Sequence, residues 1–168
     1  DEPTTALDVT TQAQILDLLE RLKQQRKMSI LLITHDLGVV AERADEVAVM
    51  YASRISEKAP SDELFSEPLH PYTRGLLESL PRLGVGLKRL PTISGMVPEL
   101  TDFPSGCKFH PRCRLGSNDP RCRRIEPELR KVAPRRQVAC WYAPGYETDQ
   151  ERKQYEQKYG KKQRASSS

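Results

Sequence analysis

Apolar residues recur at helical spacing across residues 10–27, "TTQAQILDLLERLKQQRK", where Ile15, Leu18, Leu19 and Leu22 share one face. Lys23, Arg26 and Lys27 crowd the last turns, where cations suit the helix dipole. This predicts an amphipathic helix. "MSILLIT", residues 28–34, is an unbroken run of strand length and predicts a strand buried on both faces, as in a parallel sheet. "HDLGVVAERAD" then reads as a short helix with Asp36 as its cap, and "EVAVMYAS" as a second strand. Helix, strand, helix and strand in quick succession predict an α/β layered domain.

After Arg54 the texture changes. "SDELFSEP", residues 61–68, predicts a short helix capped by Ser61 and stopped by Pro68. "HPYTRGLLESL", residues 70–80, puts Pro71 at the first helical position, with Leu76, Leu77 and Leu80 on one apolar face. Residues 81–106 carry four prolines and four glycines, the composition of an extended connector. Residues 106–144 are poor in apolar side chains yet hold all four cysteines. Residues 148–168 are polar throughout and predict a frayed helix running into a disordered tail. The chain thus divides into residues 1–60, 61–145 and 146–168, without internal repeats.

Composition adds a modest core to this picture, since 37% of residues are apolar and 30% charged. Charge is uneven: residues 1–106 hold 11 Lys and Arg against 16 Asp and Glu, and residues 107–168 hold 16 against 7. The basic half reads first as solvated surface, with an anionic partner as the alternative. No apolar run approaches the roughly 18 residues that span a bilayer.

The chemistry begins with the opening octapeptide, "DEPTTALD". Two adjacent acids are what a nucleotide-hydrolysing enzyme uses beside Mg²⁺ and the attacking water; standing alone, Asp1 and Glu2 would read as a helix-cap pair and His35 as an ordinary helix-start histidine. Followed 27 residues later by "ITHD", and with "ADEVAVMYASRISEKAPSDELF" in order behind it, the octapeptide resembles the ATP-binding subunit of ABC transporters. The resemblance implies the C-terminal part of a P-loop NTPase domain followed by a cysteine-containing, loop-rich extension. It makes Asp1 the Mg²⁺-side acid, Glu2 the catalytic carboxylate, Asp8 the D-loop acid that couples two ATPase domains, and His35 the γ-phosphate switch. ATP and Mg²⁺ are the implied ligands. The sequence contains no G-x-x-x-x-G-K-[ST] loop and no "LSGGQ" signature. The expectation is therefore a C-terminal piece of a longer protein that does not hydrolyse ATP alone.

"HPYTRGLLESLPRL" resembles the extension found in oligopeptide and dipeptide importers, a subfamily that includes nickel importers. His70, a lone histidine before proline, reads as structural rather than as a metal ligand. The cysteines are spaced Cys107-x5-Cys113-x8-Cys122-x17-Cys140. In the reducing compartment of such an ATPase they argue for metal before disulfides. The C-x₂₋₄-C knuckles usual for structural zinc are missing, and four widely spaced thiolates fit a [4Fe–4S] cluster better. Zinc and free buried thiols stay open. Members of the resembled family carry such a cluster, with Arg112, Arg114, Arg121, Arg123 and Arg124 available here to offset its charge. The expected role is that of a staple for a region with little core; His110, before Pro111, reads as a turn.

The resemblance further implies a second ATPase subunit, two transmembrane permease subunits and an extracytoplasmic peptide-binding protein, with the chain peripheral on the cytoplasmic face of the inner membrane. A nickel or small-solute importer is the rival within the class. A non-transport ATPase acting on ribosomes or nucleic acid is the rival outside it, disfavoured by Thr5-Ala6 where ribosome-acting relatives carry "NH", so no nucleic acid is expected.

Overall fold

The computed structural model describes residues 1–80, 92–99, 101–148, 150–151 and 153–154. Much of the predicted connector, and most of the predicted tail, lie outside the described residues. Two compact units emerge, Asp1–Ala44 and Asp45–Ser168.

In the first unit, α1 (Val9–Arg26) starts where the Asp8 carboxylate accepts the Thr10 and Thr11 N–H groups, each at 3.0 Å. It ends at Lys27, whose left-handed φ of 51° closes the last turn. Leu16 is the buried residue of this helix, while Leu18 and Leu22 are exposed. The predicted stripe is therefore corrected. Apolar residues at 15, 16, 18, 19 and 22 cover more than one face, and neighbours decide which face turns inward. Asp36 caps α2 (Leu37–Arg43) through the Gly38 and Val39 N–H groups at 2.9 and 3.2 Å. An Arg43–Asp17 ion pair at 2.8 Å joins the two helices.

The strand expected over residues 28–34 does not form. Leu31 is 87% exposed, and Met28, Ile30 and Ile33 are exposed too. An apolar run becomes a buried strand only by pairing, and here its backbone bonds are those of Met28 N–H to the Lys23 carbonyl, 3.1 Å, and of Glu2 N–H to the Ile33 carbonyl, 2.7 Å.

The second unit is built on a four-stranded sheet in the order β1-β2-β4-β3: β1 Glu46–Tyr51, β2 Arg54–Pro60, β3 Arg130–Ala133 and β4 Arg136–Val138. Every pairing is antiparallel, which corrects the parallel-sheet expectation. Ala52 and Ser53 turn the β1–β2 hairpin with φ of 48° and 60°, both in the left-handed region a tight two-residue hairpin turn requires. The segment read as a loop-rich extension thus supplies two of the sheet's strands. Its core gathers Val138, Cys140, Ala143 and Tyr146, and a second cluster packs Tyr51 against Phe109 and Cys113. Tyr51 and Phe109 meet edge to face at 5.3 Å between ring centres.

Two short helices follow β2. α3 (Ser61–Ser66) has Pro60, not Ser61, at its cap position and no side-chain cap, and the Ser61 N–H donates to the Asp45 carbonyl at 3.2 Å. α4 (Pro71–Glu78) begins with Pro71 in its first turn, as expected, and His70 caps it. A 3₁₀ turn (His110–Arg112) and α5 (Pro120–Arg124) carry the chain past Cys113 and Cys122.

Candidate functional site

Three clusters of side chains stand out, one in the first unit and two in the second. The first centres on Glu2. Its φ of 45° is a left-handed conformation that a non-glycine residue adopts at some cost, of the kind found where function fixes the backbone. His35 approaches it twice: the ring Nδ1 lies 2.7 Å from Glu2 Oε1, and the His35 N–H donates to the same oxygen at 3.2 Å. Thr5 Oγ1 donates to Oε2 at 2.7 Å. The bonds from His35, then Thr5, hold the Glu2 carboxyl below the usual carboxylate range. The Glu2 carboxylate in turn raises His35 above the ordinary histidine value. The two residues, 33 positions apart, thus form an acid–base pair open to solvent. Asp1 stands exposed beside it. Asp8 is engaged as the α1 cap, its other oxygen receiving Thr11 Oγ1 at 2.7 Å, and these bonds hold its carboxyl low.

The second cluster anchors "HPY" to the sheet. Glu57 on β2 is 1% exposed, and its two oxygens accept the N–H groups of Leu69 (2.8 Å) and His70 (2.9 Å). Arg136, buried on β4, lies 3.7 Å from the same carboxylate and also faces Glu63 and Glu67. His70 Nδ1 accepts the Tyr72 N–H at 3.0 Å, and its other nitrogen faces the Ala139 carbonyl. With burial outweighing that bond, the His70 pKa is lowered to about 4, so the ring is neutral. His70 is structural, as the sequence suggests. Glu57 was not legible: one glutamate in "RISEKAP" reads as a solvated face, and its partner lies 79 residues further on.

The third cluster is the cysteine set. All four thiols are free and line one small cavity with His70, Phe109 and Trp141. The Gly116 N–H donates to Cys113 Sγ at 3.3 Å. Burial raises Cys107 and pushes Cys122 and Cys140 up to about 12. A bound metal would reverse that balance, since a coordinating thiol gives up its proton. Among the described residues, no three His, Cys, Asp or Glu side chains are arranged to hold a metal ion. Gly116 supplies a cradle for Cys122, because a Cβ on it would sit 2.7 Å from that sulfur. The arginines expected to offset cluster charge are largely engaged elsewhere: Arg112 on the Ser94 and Ile93 carbonyls, Arg121 on Glu147, Arg123 on the Ser117 carbonyl. His110 lies in a turn, its Nδ1 2.9 Å from the Cys107 carbonyl.

Glu57, the HPY helix and the first three cysteines all fall within residues 56–128, and those residues match the family described as oligopeptide/dipeptide transporter, C-terminal region. Over those residues the chain is similar to the C-terminal region of oligopeptide/dipeptide transporters. It is also similar to the dipeptide transport ATP-binding protein DppD of Haemophilus influenzae, 49% identical over 140 residues, or 83% of this chain and 42% of that protein. A protein of Brucella abortus named for peptide import and ATP binding is 58% identical over 113 residues, 67% of this chain and 34% of its own length. A Brucella ovis protein of the same description is 54% identical over 138 residues, covering 79% and 40%. The chain therefore spans well under half the length of the curated relatives it matches. No helix among the described residues is long and apolar enough to cross a membrane.

Proposed function

We propose that this chain carries the water-activating end of the ATP-hydrolysing subunit of an oligopeptide or dipeptide ABC importer. The observation that carries the reading is the Glu2–His35 pair, held at 2.7 Å on a strained turn in a chain whose relatives are named for ATP binding and peptide import. Glu2 is the general base that takes a proton from the attacking water. In the state described, both of its oxygens already receive donors, from His35 and Thr5. A γ-phosphate offers the His35 ring a competing anionic acceptor, so the histidine leaves Glu2 Oε1 as substrate arrives and frees it for water. Asp1 supplies a hard oxygen donor suited to Mg²⁺, which when bound neutralises charge on the terminal phosphates. Asp8 fixes the 1–8 turn to α1 and thereby relates the acids to a second ATPase subunit. Two permease subunits, a peptide-binding protein and a peripheral place on the cytoplasmic face of the inner membrane complete the assembly.

The cysteine set is read as the site of a [4Fe–4S] cluster, which when bound supplies a cross-link between segments far apart in the chain. Four thiols on one cavity wall, the Gly116 N–H on Cys113 Sγ, and the Gly116 cradle for Cys122 support this. Its role is that of a staple for a thinly packed unit.

The transport reading is tested by joining this chain behind the N-terminal portion of the Haemophilus relative and expressing the chimera in a peptide-uptake deletion strain. Growth on a dipeptide as sole source of a required amino acid is expected, and its loss with Glu2→Gln. Unimpaired growth of the Glu2→Gln strain would sink the reading.

A further inference from the structure

We propose that Gly116 is the positioning residue of the cysteine set, seating Cys122 Sγ while its N–H holds Cys113 Sγ. The inference rests on the cluster reading above. The Gly116 N–H donates to Cys113 Sγ, whereas among the described residues no backbone N–H donates to Cys122 Sγ. Cys122 instead sits on α5, buried, one torsion away from a helical backbone. Its sulfur is placed by what it packs against, and that is the bare Cα of Gly116. An added Cβ would lie 2.7 Å from Cys122 Sγ, 3.3 Å from its Cβ and 3.5 Å from Tyr142 Cε2. The first distance is shorter than real side chains tolerate, and the Tyr142 ring on the same side limits escape.

Backbone conformation does not explain this glycine. Gly106, whose Cβ would meet the Cys122 carbonyl oxygen, has a φ of +64° that itself favours glycine, but Gly116 is not among the glycines with positive φ. What Gly116 provides is room and a donor. Both act on thiols three and six residues away in sequence, Cys113 and Cys122, and so relate one loop thiol to one helix thiol. Partners that orient a ligand in this way usually set metal retention and potential.

The test compares the full chain as wild type, Gly116→Ala and Gly38→Ala, purified anaerobically after iron–sulfur reconstitution. Gly38→Ala is the steric control, since its Cβ would meet Asp36 Oδ1 at 3.1 Å in the first unit, which holds no cysteine. Wild type and Gly38→Ala are expected to share iron and sulfide content, electron paramagnetic resonance spectrum and midpoint potential. Gly116→Ala is expected to lose iron to a chelator about tenfold more readily, with an altered spectrum and potential in what remains. Wild-type values in Gly116→Ala would overturn the inference and leave the cluster reading standing. Colourless, iron-free wild type would overturn both. Should Gly116→Ala not fold, wild type labelled with ¹⁵N-glycine decides: a hyperfine coupling between cluster and glycine nitrogen is expected, and its absence overturns the proposal.

Discussion

Removing the Glu57 carboxylate should unhook the HPY helix from the sheet. In Glu57→Ala two buried N–H groups, those of Leu69 and His70, lose their acceptors, at about 1–3 kcal/mol each. Arg136 keeps Glu63 and Glu67 within 3.6 Å, so the guanidinium is not stranded and adds little to the cost. The expected loss is about 4 kcal/mol, in the range found when one partner of a buried charged network is deleted. Glu57→Gln preserves volume and one acceptor but turns an NH₂ toward the second N–H, costing about 1–2 kcal/mol. Urea unfolding followed by the fluorescence of Trp141, the chain's sole tryptophan and a resident of the same unit, reads the effect. At an m of about 2 kcal/mol/M, the alanine variant's midpoint falls by about 2 M and the glutamine variant's by less than half that. An alanine midpoint within about 0.3 M of wild type, or equal effects of the two variants, would refute the reasoning.

Two further outcomes follow from the ionisable groups. His70 titrates at about 4 when folded and at 6.5 when unfolded, so only the unfolded chain takes up a proton in between. Its contribution is complete above pH 6.5 and falls by about 3 kcal/mol as the pH drops to about 4; urea midpoints of metal-free chain across that window measure it, and His70→Asn, which keeps a capping oxygen, should flatten the dependence. A nuclear magnetic resonance titration of His35 should show a midpoint above 6.5 that moves back toward it in Glu2→Gln, because the Glu2 bond is the main cause of the rise. An unchanged midpoint would remove the basis for pairing the two residues.

The elements that could be read from the sequence are those whose causes are local. α1 announces itself through periodicity, and α2 through Asp36, whose carboxylate does become its cap; that Asp8 caps α1 is seen only in the structure. Pro71 marks the start of α4 for the same reason. β2, β3 and β4 were missed because "RISEKAP", "RKVA" and "RQV" are short and polar, and only mutual pairing makes them strands. Residues 28–34 failed in the opposite sense, with strand composition but no strand pairing among the described residues. Glu2 and His35 were picked from a motif, and the structure adds that they touch. Gly116 left a signal, a glycine three residues after Cys113, that goes unnoticed until the sulfur positions are known.

The account depends most on Glu2 acting as the base for water, and the turnover number of the purified chimera measures that directly. At saturating Mg-ATP, Glu2→Gln should lower the turnover number by about a hundredfold or more while nucleotide affinity stays near wild type. A Glu2→Gln protein that binds and hydrolyses ATP like its parent would contradict it.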